Sequence, residues 1–187
     1  MSATKVKLLY SRSEMQDECL KALNARGVDY RDIAEIAYKQ QSKFMSGVSK
    51  EQCEDSVLKI LSLRDVFHTV LLGIEIDRLT EEGVFQGPIQ NIMLHDLGVF
   101  GVDEALGLTI ASRYGVIGQT NFGDIDVNKP GIVGTLNEHG KGDKPVCHTM
   151  LDDIVGAIAA AASTRVAQVE MEEQAKEDFS VTQESLF

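Results

Sequence analysis

Along most of this chain hydrophobic residues recur every three or four positions, the spacing that lays one apolar stripe on an α-helix. Leu20 and Leu23 mark such a stripe from about Glu14 to Arg26, and Gly27 supplies its stop. Asp29 or Asp32 opens a second segment, with Ile33, Ile36, Ala37 and Phe44 on its apolar side. Ser49 with Gln52 forms a capping-box pattern, in which each side chain satisfies a backbone N–H of the other. Behind it Val57, Ile60, Leu61, Val66, Leu71, Leu72 and Ile76 run to a Glu81-Glu82-Gly83 stop, a length that suits one bent helix or two in succession. Pro88 fits the first turn of a short helix reaching about His95, and another helix is predicted from about Val102 to Val116. A loop rich in Gly, Asn and Asp, broken at Pro130, is predicted from Gly118 to Pro145, and a strong helix from about Thr149 to Val169. Strand-like alternation occurs only in Lys5 to Tyr10, and a lone strand has nothing to pair with. The predicted class is therefore all-α, with an irregular or helical start.

A chain of 187 residues can bury one good core and not comfortably two. The expected organisation is a compact single-domain multi-helix bundle over residues 1–168. Residues 169–187 then form an acidic helix end or tail, where Glu170, Glu172, Glu173, Glu177, Asp178 and Glu184 stand against Lys176 alone. The net charge of −11 argues against nucleic acid, which calls for clustered Lys and Arg, and against a polybasic membrane patch. Cys19, Cys53 and Cys147 are odd in number and form no metal or redox spacing, so reduced thiols in a cytoplasmic protein are expected. The strongest apolar run, Ile154 to Thr164, falls well short of the roughly 20 residues of a membrane span, so no transmembrane segment is predicted.

Candidate chemistry lies in the second half. His95-Asp96, Asp103-Glu104, Asp124 and Asp126 with Lys129-Pro130, and Asp152-Asp153 follow one another at predicted loop–helix junctions. Asp103-Glu104-Ala105-Leu106-Gly107 and Asp152-Asp153-Ile154-Val155-Gly156 share one pattern: two acids, two apolar residues, a glycine. On a helix the first acid and the glycine share a face. A mid-helix glycine costs roughly 1 kcal/mol relative to alanine, which close helix–helix approach would offset. The two helices are therefore expected to cross near Gly107 and Gly156 and bring both acidic pairs to one site.

Several ionised carboxylates coexist cheaply only around a cation or in full solvent. Ligands that are all oxygen suit Mg²⁺, with Mn²⁺ or Ca²⁺ as alternatives. Lys129, a lone cation among acids, could hold a phosphoryl oxygen. The competing reading is structural, because acids in a helix's first turn are favoured by its dipole alone. His68 fits an apolar helical face and His139 a solvated loop, while His95 and His148 adjoin the acids as candidate general acids or bases. Gly115 to Gly123 matches neither a dinucleotide nor a P-loop fingerprint, and no GxSxG occurs.

In this order Val102-Asp103-Glu104-Ala105-Leu106-Gly107, Asp126-Val127-Asn128-Lys129-Pro130 and Met150-Leu151-Asp152-Asp153 resemble the D-E-x-x-G, D-x-x-K-P and L-D-D segments of the phosphatidylglycerophosphatase A family. The likeness covers roughly Asn91 to Gln168. Ala25-Arg26-Gly27-Val28, Asp32 to Ile36 and Arg64-Asp65-Val66-Phe67-His68 resemble its soluble branch, named low-temperature-requirement C-like.

The resemblance implies helices around one central helix and Mg²⁺-dependent removal of phosphate from phosphatidylglycerophosphate. It implies Asp96, Asp103, Glu104, Asp152 and Asp153 as metal ligands, with Asp103, Glu104, Asp126 and Lys129 in the chemistry. Lys129, Asn121 and His95 are the candidate substrate contacts. The family's K-P-W-P is Lys129-Pro130-Gly131-Ile132 here, which leaves a lipid headgroup and a smaller phosphorylated metabolite both open.

Three rival readings stand beside this one. The first is an all-α nucleotide pyrophosphohydrolase, although its E-x-x-E…E-x-x-D signature is not evident. The second is a divalent-metal or phospholigand-binding module without turnover, and the third a helical dimer whose acids merely cap helices. The small-residue last helix makes a homo-oligomer a further expectation.

Overall fold

The protein, a computed structural model, is described over residues 9–96, 101–139 and 146–184, with side chains to residue 138 in the second segment and to residue 176 in the third. The helices are α1 (Arg12–Ala25), α2 (Tyr30–Gln41), α3 (Lys50–Leu61), α4 (Arg64–Glu81), α5 (Pro88–Leu94), α6 (Val102–Ala111), α7 (Gly115–Asn128), α8 (Ile132–His139) and α9 (Leu151–Glu184). Among the described residues there is no strand, and the chain is all-α as predicted. Most of the alternating segment Lys5 to Tyr10 lies outside the described residues, as does the side chain of His139.

Local chemistry sets most helix ends. Ser11 and Glu14 close a capping box on α1, and Ser49 and Gln52 close the expected one on α3. Asp29 caps α2 through the Arg31 N–H at 2.8 Å. Gly27 and Gly83, at φ +79° and +69°, stop α1 and α4 in the left-handed conformation that glycine adopts without steric cost. The long apolar run after Ser49 is two helices, separated at Ser62 and Leu63.

Helix α9 is the axis of the molecule. α2, α3, α4, α6, α7 and α8 all pack against it, and its residues 151–164 are buried without interruption. Ala157 and Ala159 to Ala162 are fully buried, so methyl groups alone separate the α9 backbone from its neighbours along this belt. Around them one apolar cluster gathers Leu23, Ile33, Ile60, Leu61, Ile110, Ile125 and Ile158. The start of α9 is pinned by α4. The fully buried Asp77 carboxylate accepts the N–H groups of Met150 and Leu151, each at 3.0 Å. Arg26 donates to both Glu81 oxygens and to the Cys147 carbonyl, and Glu81 accepts the Cys147 N–H at 2.8 Å.

Four expectations are corrected. The predicted loop from Gly118 to Pro145 is largely α7 and α8. Asn121, Phe122 and Ile125 of α7 are buried, and this tertiary packing outweighs the helix cost of Gly118 and Gly123. A Cβ at Gly118 would collide with the Ala111 carbonyl oxygen, so the corner between α6 and α7 requires glycine there. The helix predicted to Val116 ends at Ala111, a 3-10 turn follows (Ser112–Tyr114), and the chain folds back as α7. Phe44 and Leu72 are exposed, Phe44 because α2 ends at Gln41 and Leu72 because it faces away from α9, and His68 is exposed rather than in the core. The last helix does not end near Val169 but continues to Glu184.

Candidate active site

Three helix ends meet where α9 begins. α6 presents Asp103 and Glu104 in its first turn, α9 presents Asp152 and Asp153 in its own, and α7 delivers Asp126 and Lys129 at its C-terminal end. Carboxylate oxygens of Asp103, Glu104 and Asp153 all lie within 4.8 Å of one another. Gly107 explains how α6 comes so close: a Cβ there would lie 3.0 Å from the Asp153 carbonyl oxygen. The expected crossing holds at this glycine. Gly156 instead faces Ile125 and Phe122 of α7, so the second glycine admits a different helix.

Lys129 joins the remaining acids. Its Nζ donates to Asp126 Oδ1 at 2.6 Å, Asp152 Oδ2 at 3.1 Å and Asp153 Oδ1 at 3.4 Å. The residue sits at φ +43°, and Asp96 at φ +50°; these are the only non-glycine residues of positive φ among those described. Each such conformation costs of order 1 kcal/mol and persists only where its surroundings enforce it. For Lys129 the enforcement is visible: the turn that ends α7 ahead of Pro130 aims its ammonium back into the acids.

Asp103, Asp152 and Asp153 are buried, and Glu104, Asp126 and Lys129 half-buried, so five acids share one ammonium with little water to screen them. Burial, then the charges of Asp152, Asp126 and Asp103, raise the Asp153 pKa well above the carboxylate range in spite of Lys129. The neighbouring Asp103 carboxylate, then burial, raise that of Glu104. Burial also raises Asp152, against the pull of Lys129 and with a small push from Asp96. Burial would lower the Lys129 pKa, but Asp126, Asp152 and Asp153 reverse that and hold it firmly protonated. One oxygen, Glu104 Oε2, is buried without any hydrogen-bond partner. An orphaned carboxylate oxygen inside a crowd of all-oxygen donors fits a hard divalent cation.

The other predicted residues lie apart from this group. Asp96 is exposed just after α5, within electrostatic reach of Asp152. The exposed His95 ring is held by its own helix, Nδ1 to the Asn91 carbonyl oxygen at 2.9 Å. Asn121 is buried and its carboxamide is engaged by Gln40 (3.3 Å) and Thr164 (3.1 Å), which makes it an interhelical tie. His148 is buried with Nδ1 3.1 Å from the Leu136 carbonyl oxygen. The sequence reading missed Asp77, whose signal was an acid three residues after Ile74 and seven after Val70, at a core position of α4. Burial raises its pKa to about 7, against the two N–H groups of α9 that favour its charge.

Residues 35–168 match the family described as Phosphatidylglycerophosphatase A. The chain is 42% identical to the YutG protein of Bacillus subtilis over 155 residues, covering 83% of this chain and 92% of that protein. The crystal structure of low temperature requirement C protein from Listeria monocytogenes matches with a TM-score of 0.80 at 44% identity, covering 86% of this chain and 99% of that one. The crystal structure of YpjQ from Bacillus subtilis matches with a TM-score of 0.80 at 39% identity, covering 87% and 99%.

Proposed function

The chain belongs to the phosphatidylglycerophosphatase A family, and from that premise we propose that it is a Mg²⁺-dependent phosphomonoesterase acting on the phosphate of a lipid headgroup. The observation that carries the proposal is the meeting of Asp103, Glu104 and Asp153 from two helices within 4.8 Å, with Lys129 beside them. Asp103, Glu104 and Asp153 would hold the cation, with Asp152 next to them on α9 and Asp96 adding charge at the edge. Mg²⁺ held there would supply Lewis-acid charge to a phosphoryl oxygen and make a neighbouring water more acidic.

The chain's own residues do the rest. Lys129 already spends its shortest bond on Asp126 and its longest, 3.4 Å, on Asp153. Were Asp153 to hold the cation, that third donor would be free for a phosphoryl oxygen, where the fixed positive charge of Lys129 would favour the charge developing in phosphoryl transfer. Asp126 is held through Oδ1 alone, which leaves Oδ2 to accept a proton from an attacking water. The raised pKa values of Glu104 and Asp153 mean that protons compete with the cation for the site. No helix of the described residues is long and apolar enough to cross a membrane, so the substrate's phosphate would be met at a protein surface.

The test is phosphate release from phosphatidylglycerophosphate in mixed micelles, from glycerol phosphate and from nucleotides, with Mg²⁺ and with chelator. Release that chelator abolishes and that Asp103→Asn lowers by roughly 100-fold or more is the expected result. Release from glycerol phosphate alone would replace the lipid with a small metabolite. Mg²⁺ binding without release from any substrate would leave a metal-binding protein and end the enzymatic reading.

A further inference from the structure

Exposed helix faces in this acidic chain are charged almost everywhere. α1 shows Asp17 and Lys21 to solvent, α2 Arg31 and Asp32, α3 Glu51 and Lys59. Among the described helices of ten or more residues, the hairpin of α6 and α7 is the exception. Between Ala105 and Gly123 the sole charged residue is Arg113, and its guanidinium is tied to Asp65 of α4. Both helices bury one side against α9, α6 through Gly107 and Ile110 and α7 through Phe122 and Ile125. The opposite side of α7 carries Val116, Thr120, Gly123 and Val127, spaced four, three and four apart, all exposed. Ile117 widens this surface, with Val116 71%, Ile117 66% and Val127 81% exposed, and Leu108 of α6 is exposed as well.

We propose that this uncharged face of the α6–α7 hairpin is where a second copy of the chain docks, face to face about a two-fold axis. An uncharged, largely apolar patch is what a subunit-interface core presents, rather than a solvated helix face. Charge selects the occupant. Two chains that each carry −11 repel, and they can approach only through surfaces that bring no acids together. This face is such a surface. A lipid bilayer is the rival occupant, but binding at headgroups draws on free Lys or Arg and on interfacial Trp or Tyr. Here the single Arg is paired with Asp65, the chain has no Trp, and Tyr114 packs partly buried against the core.

Size is consistent with a second copy. At 10 and 14 residues, α6 and α7 are roughly 15 and 21 Å long, side by side at about 10 Å. Thr69 of α4, 3.4 Å from Thr109, continues the surface to the exposed Leu72. Ridged helix surfaces of that footprint present an area of the order of the smaller stable interfaces, roughly 600 Å² per partner.

The test is sedimentation velocity of the full chain over a concentration series reaching about 100 µM. The expected result is a dimer that Ile117→Glu weakens by at least roughly 100-fold, through an unpaired charge in the interface. Asn24→Glu, which adds the same charge on the solvated face of α1, should leave the dimer unchanged. Circular dichroism and thermal unfolding establish that both variants fold. A wild-type chain that stays monomeric throughout overturns the proposal, as does an Ile117→Glu dimer as tight as wild type, or equal loss in Asn24→Glu. A monomer that co-sediments with phosphatidylcholine–phosphatidylglycerol vesicles, and stops doing so in Ile117→Glu, gives the face to lipid instead. None of these readouts depends on phosphatase activity.

Discussion

Replacing Gly107 by alanine sets two effects of opposite sign against each other. In an unencumbered helix interior the change would stabilise the protein by roughly 1 kcal/mol. Here the new Cβ would lie 3.0 Å from the Asp153 carbonyl oxygen, 3.0 Å from Phe122 Cζ and 3.3 Å from the Asp153 carbonyl carbon. Comfortable contacts are about 3.5–4.0 Å, so α6 must withdraw from α9 by roughly half an ångström. Overpacking of this kind costs about 1–3 kcal/mol. The net expectation is a loss of about 0–2 kcal/mol, a fall in Tm of up to roughly 6 °C for a domain of this size. The withdrawal also moves Asp103 and Glu104, one turn away, from Asp153. About half an ångström is the tolerance within which a ligand constellation works, so Mg²⁺ affinity should drop roughly ten-fold although no ligand has changed. Urea unfolding in chelator reports the first quantity and titration calorimetry with Mg²⁺ the second. A variant about 1 kcal/mol more stable than wild type, with metal binding intact, would refute the reasoning. It would mean that α6 and α9 do not touch at this level.

Asp77→Asn should lower stability by about 1–3 kcal/mol in urea unfolding at pH 8, because the amide cannot replace a carboxylate that accepts two α9 N–H groups. An unchanged midpoint would show that α9 is not anchored there. The raised acids make a pH prediction of defined sign. Asp77 titrates near 7 instead of its ordinary 3.8, and Glu104 and Asp153 are raised as well. Between about pH 5 and 7 the folded chain therefore binds more protons than the unfolded one, and its stability must fall as pH rises. Thermal scans in chelator should show Tm decreasing across that window, while the proposed Mg²⁺, competing with protons at Glu104 and Asp153, should bind more tightly toward its upper end. A Tm that rises from pH 5 to 7 in chelator would contradict the burial of these carboxylates.

The sequence disclosed what local chemistry controls. The Ser49–Gln52 capping box, the Gly27 and Gly83 stops and the Pro88 start all stand as expected, because each needs only a few neighbouring residues. What it hid depends on distant partners. Gly118 and Gly123 lower the helix propensity of α7, and only burial of Phe122 and Ile125 against α9 shows why that stretch is helical. The glycine argument identified a close crossing at Gly107, yet it could not say that Gly156 meets α7 rather than α6. Of the predicted site residues, the acids in matched pairs share one cluster, since helix N-termini placed both pairs alike. Asn121 was a candidate substrate contact, and its role between Gln40 and Thr164 could not be seen without the fold. Asp77 was passed over because it lies 73 residues from the backbone it holds.

The alanine belt of α9 gives the centre of this fold a one-sided tolerance to mutation. In an ordinary core, large side chains can be trimmed, and the loss is graded by the void that remains. At Ala157 and Ala159 to Ala162 there is almost nothing to trim. Random change there can only enlarge a side chain that has no room, or replace it with glycine at about 1 kcal/mol of helix propensity. Adaptive variation is thereby pushed outward, to helix faces that do not touch α9. Laboratory selection for a more stable enzyme should accordingly collect its substitutions at the periphery and leave this stretch of α9 as it stands.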